Sequence, residues 1–522
     1  MLTHIHGAKC IGIDAVQVTV EIDIDRGIGI HLVGLADVAV KESLLRTTTA
    51  LEALGFRIPG KRIVINLAPA DLRKNGSGYD LPIAIGIIAA SGQRNLPRAG
   101  QFVMMGELGL DGSLRAIPGS LPFAEMARQE GFEGIILPAE SALEASEFKE
   151  MLVYGVAGLG DVVRILEGQE DCRDLLVWNT PQYRQARRSR LASPRAAAGV
   201  DFADIIGQEG AKRGMEIAAA GAHNLIMVGA PGSGKSSLAK ALAGILPPMT
   251  REEALVTSKI WSVAGKGSPQ DGLIRRRPFR APHYSASLAA IIGGGGGENI
   301  LPGEVSLAHS GVLFLDEVGQ MPKSVIEALR GPMEDRRVCI SRLKSKVEFP
   351  CSFMLVAASN PCPCGYYGEG DRCTCTPTQR QSYLSKLSGP IMDRLDLHVW
   401  MHPVPAGQIL RSEKAESSEA VAARVLKARL VQQARFGSGG PATNAEMNAR
   451  QIEQFCPLSD ACRATLERLM TQMGFSMRAY FRIIKVARTI ADLEGAGDIL
   501  PAHLIEAASY RFLDRQNFPA WK

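Results

Sequence analysis

The sequence predicts a multidomain α/β protein. An α+β unit comes first, then an α/β unit built on a parallel sheet, then a helical region. Three observations predict it. Residues 224–240, Asn-Leu-Ile-Met-Val-Gly-Ala-Pro-Gly-Ser-Gly-Lys-Ser-Ser-Leu-Ala-Lys, read as a buried strand, a glycine-rich turn and the start of a helix. Over residues 1–168, short alternating apolar runs interleave with helical patterns. Beyond residue 401 the patterns are helical. The 522 residues suffice for three or four domains, each with its own core. A charged fraction of 22% is that of an ordinary globular chain, and a net charge of +5 is too mild to prove a nucleic-acid partner.

In the front unit, Val16, Val18, Val20, Ile22 and Ile24 alternate with polar residues, which predicts a half-buried strand. Ile28, Ile30 and Leu32 suggest its pairing partner. Residues 36–54 predict a helix that stops at Gly55. Ile63, Ile65 and Leu67 predict another strand, and Asp80 opens an apolar helix with Pro82 in its first turn. Residues 102–108, 134–137 and 152–156 are further strand candidates. Residues 169–200 are assigned to a basic linker: Arg184, Arg187, Arg188, Arg190 and Arg195 lie there, with no acid from 181 to 200. That stretch reads equally as a solvated tether or as a contact to nucleic-acid phosphate.

The middle unit is assigned to residues 201–400. Gly229, Ala230, Pro231, Gly232, Ser233, Gly234, Lys235 and Ser236 match the P-loop pattern in full. Its glycines let backbone N–H groups turn toward an anionic phosphate, and the helix predicted over residues 237–245, opening at Ser237 with Leu238, Leu242 and Ile245 at helical spacing, points its positive end the same way. Lys235 is placed to reach the β/γ-phosphates of ATP, and Ser236 to bind Mg²⁺. Residues 311–317 form an apolar strand ending in Asp316 and Glu317. Open α/β sheets bind ligands at the carboxyl ends of their strands. Asp316 is therefore assigned to the Mg²⁺ shell and Glu317 to the attacking water. Strand 353–360 ends in Asn360.

Four of the ten cysteines crowd into Cys362, Cys364, Cys373 and Cys375. Without a secretory signal, that clustering points to one structural Zn²⁺ or a reduced thiol cluster, not to a disulfide framework. The start, Met-Leu-Thr-His-Ile-His, has no basic n-region or long apolar run, and no stretch has the length of a membrane span. With the need for ATP, this predicts a cytoplasmic protein without a membrane partner. Arg275, Arg276, Arg277 and Arg280 lie near the glycine run 293–297, and residues 338–349 read as a hairpin with Lys344 and Lys346 at its tip. Both loops suit sequence-independent contact to DNA phosphates; packing against neighbouring subunits is the competing reading.

Several stretches resemble known families. Residues 74–82 (Lys-Asn-Gly-Ser-Gly-Tyr-Asp-Leu-Pro), 105–115 and 135–138 resemble the proteolytic domain of Lon-type proteases. Where that family has its serine and lysine, this chain has Asp80 and Leu121, which cannot make an activated nucleophile. The resemblance thus implies a Lon-like α+β fold without Lon chemistry. Residues 201–213 resemble the opening segment of AAA+ ATPases, which implies that Ile206 and Gly207, with Ile205 and Gln208, lie near the adenine. The same resemblance implies sensor 1 at Asn360, an arginine finger reaching the next subunit at Arg394 (within Ser-Gly-Pro-Ile-Met-Asp-Arg-Leu-Asp, 388–396) and sensor 2 at Arg478. It implies a ring, usually a hexamer, and a helical lid over 401–522. Arg277-Pro-Phe-Arg-Ala-Pro-His-Tyr (277–284), Asn360-Pro-Cys-Pro-Cys-Gly-Tyr-Tyr-Gly (360–368) and Lys485-Val-Ala-Arg-Thr-Ile-Ala-Asp-Leu (485–493) narrow it further. They are similar to magnesium-chelatase-like AAA+ ATPases of the YifB/ComM type. That implies an ATP-driven helicase promoting DNA branch migration during transformation, with branched or single-stranded DNA and recombination proteins as partners. The competing functions are a magnesium-chelatase motor subunit, a scaffold ATPase remodelling a protein partner, and an ATP-dependent protease, for which no peptide cleavage is expected. Tyr284 stands where a second histidine is expected, which weakens any proposal built on a histidine pair there.

Overall fold

The computed structural model describes residues 2–168, 170–192, 199–267, 272–295, 300–342, 345–384, 389–404, 415–437 and 439–514. Lys344, Arg195 and glycines 296 and 297 lie outside them.

The front unit is a seven-stranded mixed sheet in the order Gly29–Val33, Arg62–Ala68, Asp14–Asp25, Leu2–Ile11, Phe102–Met104, Gly134–Pro138, Leu152–Val156. The alternation in Asp14–Asp25 holds at its centre, where Val18, Val20 and Ile22 are buried, while Val16 is exposed and Ile24 half-buried. Its partner is not the expected one. Residues 29–33 pair in parallel with Arg62–Ala68 at the sheet edge. Asp14–Asp25 is flanked instead by Leu2–Ile11 and Arg62–Ala68, both antiparallel. Leu2–Ile11 escaped notice because its histidines and lysine break the apolar alternation. The predicted helix forms at Val38–Ala53, with Asp37 accepting the Val40 N–H as its cap.

Asp80–Ala90 is apolar on every face and almost wholly buried. Asp80 itself is buried in that setting. Its carboxylate accepts from Arg46 Nε (2.9 Å), Arg46 Nη2 (3.2 Å) and the Leu108 N–H (3.1 Å). Burial pushes its pKa up, and the Arg46 hydrogen bonds oppose the shift. A carboxylate so engaged has no role as a nucleophile; it anchors the helix to Arg46. Removing one partner of a buried ion pair is strongly destabilising, so Arg46→Ala is expected to cost about 3 kcal/mol in denaturant unfolding at neutral pH. A raised folded-state pKa means the ionised form costs stability, so the deficit is full above that pKa. It shrinks as pH falls toward the ordinary aspartate value and Asp80 protonates. A deficit independent of pH would remove Asp80 as its cause.

The stretch assigned to a linker is not a tether throughout. Pro181–Ala192 is helical. Ala186 is buried, and the Trp178 indole N–H donates to the Ser146 carbonyl at 3.0 Å. Residues 172–183 therefore pack back onto the front unit: Cys172 and Val177 join its core, and Leu175, Leu176, Trp178 and Tyr183 lie against it.

The middle unit is a five-stranded, all-parallel sheet in the order Phe279–Arg280, Val312–Leu315, Met354–Ser359, Leu225–Gly229, Leu397–Met401. Its central strands are buried on both faces, as continuous apolar runs require. The end of the chain is helical: Ser418–Phe436, Ala449–Phe455, Asp460–Met473, Met477–Glu494 and Pro501–Ser509. These share one core with the sheet's Glu209–Gly221 and Lys235–Ile245 helices.

The helix Arg251–Val263 joins the middle unit to the front one. Lys259, buried on it, is held between Asp14 (2.5 Å) and Glu125 (2.7 Å) of the front unit. Ser262 donates to Glu144 at 2.5 Å. A buried lysine is costly unless paired, so these contacts fix the two units together.

Candidate functional site

The glycine-rich turn sits where its sequence demands, between Leu225–Gly229 and the helix Lys235–Ile245. Gly234 turns the chain into that helix at φ +91°, a conformation that excludes a side chain. The helix starts at Lys235, two residues earlier than its apolar spacing alone indicated. Lys235 is buried and donates to the carbonyls of Gly229 (2.7 Å) and Ala230 (2.9 Å) and to Asn360 Oδ1 (3.2 Å). Burial pushes its pKa down, while Asp316 and Glu317 oppose the shift. The hydroxyl of Ser233 is buried without a hydrogen-bond partner among the described residues. Such an orphan costs about 1–3 kcal/mol, which a phosphate oxygen in the loop would relieve.

The second half of the site comes from the neighbouring strands. Ser236 Oγ donates to Asp316 Oδ2 at 2.8 Å, and the Glu317 N–H donates to Asp316 Oδ1 at 3.0 Å. A hydroxyl and a fixed carboxylate side by side are the hard oxygen donors that Mg²⁺ takes alongside water and phosphate. Glu317 is half-buried and has φ +49°. That conformation is unfavourable for a residue with a side chain, and such strain concentrates at functional sites. No pattern in the sequence announces it. Asn360 follows Met354–Ser359 and meets Lys235 as described, so sheet order alone brings Lys235, Ser236, Asp316, Glu317 and Asn360 to one edge.

Gln208, also left-handed at φ +59°, donates to the carbonyls of Ser233 (3.2 Å) and His402 (2.5 Å). This brings Ile206 and Gly207 beside the P-loop; Ser237 is exposed on the following helix. His402 went unremarked in the sequence, being an isolated histidine after the last strand.

The arginines around the site are paired within the chain. Arg394, expected to project toward a neighbour, is buried in its own chain and paired with Glu334. Asp396 does not pair with it. Burial opposes ionisation of Asp396, yet Arg482 and His223 hold its carboxyl well below the usual carboxylate range. It also accepts the Asn224 N–H at 3.1 Å, tying the P-loop strand to Met477–Glu494. Arg482 and Arg488, indistinguishable from Arg478 by sequence, are thereby explained: Arg488 pairs with buried Asp492 and donates to the carbonyls of Ala496 and Gly497. Arg478 differs, with a side chain 71% exposed and paired to Asp393, next to Arg394. Arg511, to which the sequence lent no role, is buried and anchors the Leu395–Asp396 backbone.

The arginine-rich loop is largely committed within the chain. Arg277 is held by Glu253 and the carbonyls of Pro247 and Ser310. Arg280 forks onto Glu304 at 2.6 and 2.8 Å. Arg275 pairs with Glu147 of the front unit at 3.3 Å, and Arg276 is exposed. The basic run therefore marks an internal junction, since partners 24 to 128 residues away supply the acids the run itself lacks. The predicted hairpin forms, Arg337–Arg342 antiparallel to Ser345–Pro350. Lys346 is exposed and borders a cleft of about 500 Å³ shared with Lys9 and Arg73 of the front unit. The Cys362, Cys364, Cys373 and Cys375 sulfurs lie within 4.8 Å of one another.

A parallel sheet with a complete P-loop, a fixed aspartate–hydroxyl pair and an amide between them defines a P-loop ATPase of the AAA+ type. Family comparison agrees along the chain. Residues 201–409 match the model for magnesium chelatase, subunit ChlI. Residues 20–141 match subunit ChlI of Mg-chelatase, and 415–511 match the ChlI C-terminal region. The chain is 42% identical over 516 residues to competence protein ComM of Haemophilus influenzae, covering 98% of each chain. It is 41% identical over 517 residues to the uncharacterized protein YifB of Salmonella typhimurium, again covering 98% of each. Similarity to the magnesium-chelatase 67 kDa subunit of Chlorobaculum parvum is 28% and spans 31% of this chain. The chain belongs to the YifB/ComM family of magnesium-chelatase-like ATPases. Among the described residues no helix is long and apolar enough to cross a membrane.

Proposed function

We propose that this protein is an ATP-driven DNA motor, a helicase that promotes branch migration in recombination during natural transformation. The observation that supports this best is a composite ATP site in a chain collinear with a competence protein. Lys235 and Ser236 bind the triphosphate and its Mg²⁺ with Asp316; Glu317 orients the attacking water; Asn360 links the γ-phosphate side to Lys235. The active form is a ring, usually hexameric in such ATPases, in which Arg394 leaves Glu334 to stabilise transition-state charge in the next subunit. Arg478, the most exposed of the lid arginines near the site, follows the γ-phosphate. Backbone-tracking contact to DNA falls to Arg276 and Lys346, with Lys9 and Arg73 along the cleft. The alignment with the Chlorobaculum parvum chelatase subunit spans 31% of this chain and 23% of that one, against 98% of each with the competence protein, which favours the DNA motor over metal insertion into a porphyrin.

Arg394→Ala subunits are expected to lose ATP turnover about 10³-fold or more. Mixing them with Lys235→Ala subunits is expected to restore part of it, since each supplies what the other lacks at a shared site. Absence of recovery would confine Arg394 to its pair with Glu334. The direct test of the DNA assignment is ATP turnover with and without branched DNA. Stimulation lost on neutralising Arg276, Lys346, Lys9 and Arg73 is expected; stimulation unchanged in that variant would move the contact elsewhere.

A further inference from the structure

The cysteine cluster lies against the ATP site, and its geometry assigns it a task. The four thiols are free of disulfides. Sulfur separations are 3.3 Å (Cys362–Cys364), 3.8 Å (Cys362–Cys373) and 3.7 Å (Cys364–Cys373). A tetrahedral Zn²⁺ with bonds of about 2.3 Å sets its sulfurs about 3.8 Å apart. A disulfide needs sulfurs at about 2.05 Å, well inside any of these. Cys362 is buried, and the other three are half-buried, so solvent access to a bound ion would be limited.

The segment carrying these residues touches both halves of the nucleotide site. Cys362 follows Asn360 by two residues. Gly365, turned at φ +85°, lies so close to the P-loop that a Cβ there would sit 2.8 Å from Pro231 and 3.9 Å from Asn360. Helix Pro377–Leu384 begins two residues after Cys375, and its Tyr383 abuts Gly319, where a Cβ would sit 2.9 Å from the ring. Gly319 is two residues beyond Glu317. Farther out, Gly368 packs on Trp400 of the strand beside the P-loop strand, leaving 3.3 Å for a Cβ. Residues 361–376 hold no α-helix or strand, only a short helical turn at Gly370–Arg372 and two isolated turns closed by the Gly365 N–H to the Cys362 carbonyl and the Glu369 N–H to the Tyr366 carbonyl. A segment built of isolated turns needs another source of rigidity to hold such contacts.

We propose that Cys362, Cys364, Cys373 and Cys375 bind one structural Zn²⁺, and that this ion braces Pro231, Asn360 and the turn after Glu317 in their nucleotide-binding positions. The bracing half rests on the ATP reading of the P-loop; the metal half does not. Four thiolates form a closed tetrahedral site, so the ion has no open position for catalysis. Its contribution is folding energy spent on the geometry of the ATP site.

The test uses the full-length chain purified under reducing conditions. Metal analysis is expected to give one Zn²⁺ per chain, and Co²⁺ exchange the visible spectrum of a tetrahedral thiolate site. Stripping zinc with a chelator is expected to weaken binding of a fluorescent ATP analogue about tenfold or more, with recovery on adding Zn²⁺ back. A Cys373→Ser/Cys375→Ser variant, checked for folding by circular dichroism, should lack the metal and reproduce the weakened state. Wild-type protein without stoichiometric zinc would overturn the site. Zinc lost without change in nucleotide affinity would overturn the brace. Zinc-loaded protein that binds no nucleotide at all would sink the ATP reading while still supporting the metal site.

Discussion

Replacing Glu317 with glutamine is expected to lower ATP turnover about 10²–10⁴-fold while nucleotide remains bound. Asp316 is already occupied: one oxygen accepts from Ser236 and the other from the Glu317 N–H. Glu317 is the next carboxylate along, held in a left-handed backbone conformation at the carboxyl end of the sheet. Strain retained there is consistent with a side chain aimed for function and not for packing. Glutamine keeps the shape and removes the basic oxygen. Binding should therefore survive, measured as retained nucleotide, while steady-state phosphate release collapses. Normal turnover in this variant would take the water-activating role away from Glu317.

Lys235→Ala is expected to abolish detectable turnover and weaken ATP binding by at least two orders of magnitude, the scale of losing a charge-assisted contact to phosphate in a dry site. Three acceptors now share this ammonium, two of them carbonyls of the glycine-rich loop and one the amide oxygen of Asn360. Its loss removes both the charge and the link between the two halves of the site. Isothermal titration with ATP and Mg²⁺ reads the first effect, and phosphate release the second. Retained affinity would mean that the triphosphate is held elsewhere.

Much of this site was legible in the sequence because its parts are local patterns. A P-loop is contiguous, and an apolar strand ending in two acids or in Asn360 is visible without a fold. What brings them together is strand order, which puts the Asn360 strand between the other two. The sequence was least informative about charge. Arg277, Arg280 and Arg394 look exposed when only neighbours in sequence are considered, yet Glu253, Glu304 and Glu334 reach them through the fold. Asp396, two residues from Arg394, pairs with Arg482 and His223, both remote in sequence. The error with Gly29–Val33 has the same origin: its partner strand lies across a helix, not across the nearest turn. Asp80, by contrast, was legible as a break in the Ser–Lys dyad pattern because Leu121 stands at the second position, and Arg46 supplies the reason a carboxylate is kept there.

The central claim is that ATP hydrolysis at Lys235, Asp316 and Glu317 drives DNA strands past one another. The measurement closest to it is a strand-exchange branch-migration assay on a three- or four-stranded junction, run with purified protein, ATP and Mg²⁺. The account predicts junction resolution with wild-type protein, and none when ATP is withheld or when Glu317→Gln replaces wild type. Robust ATP turnover without any movement of the junction would contradict it.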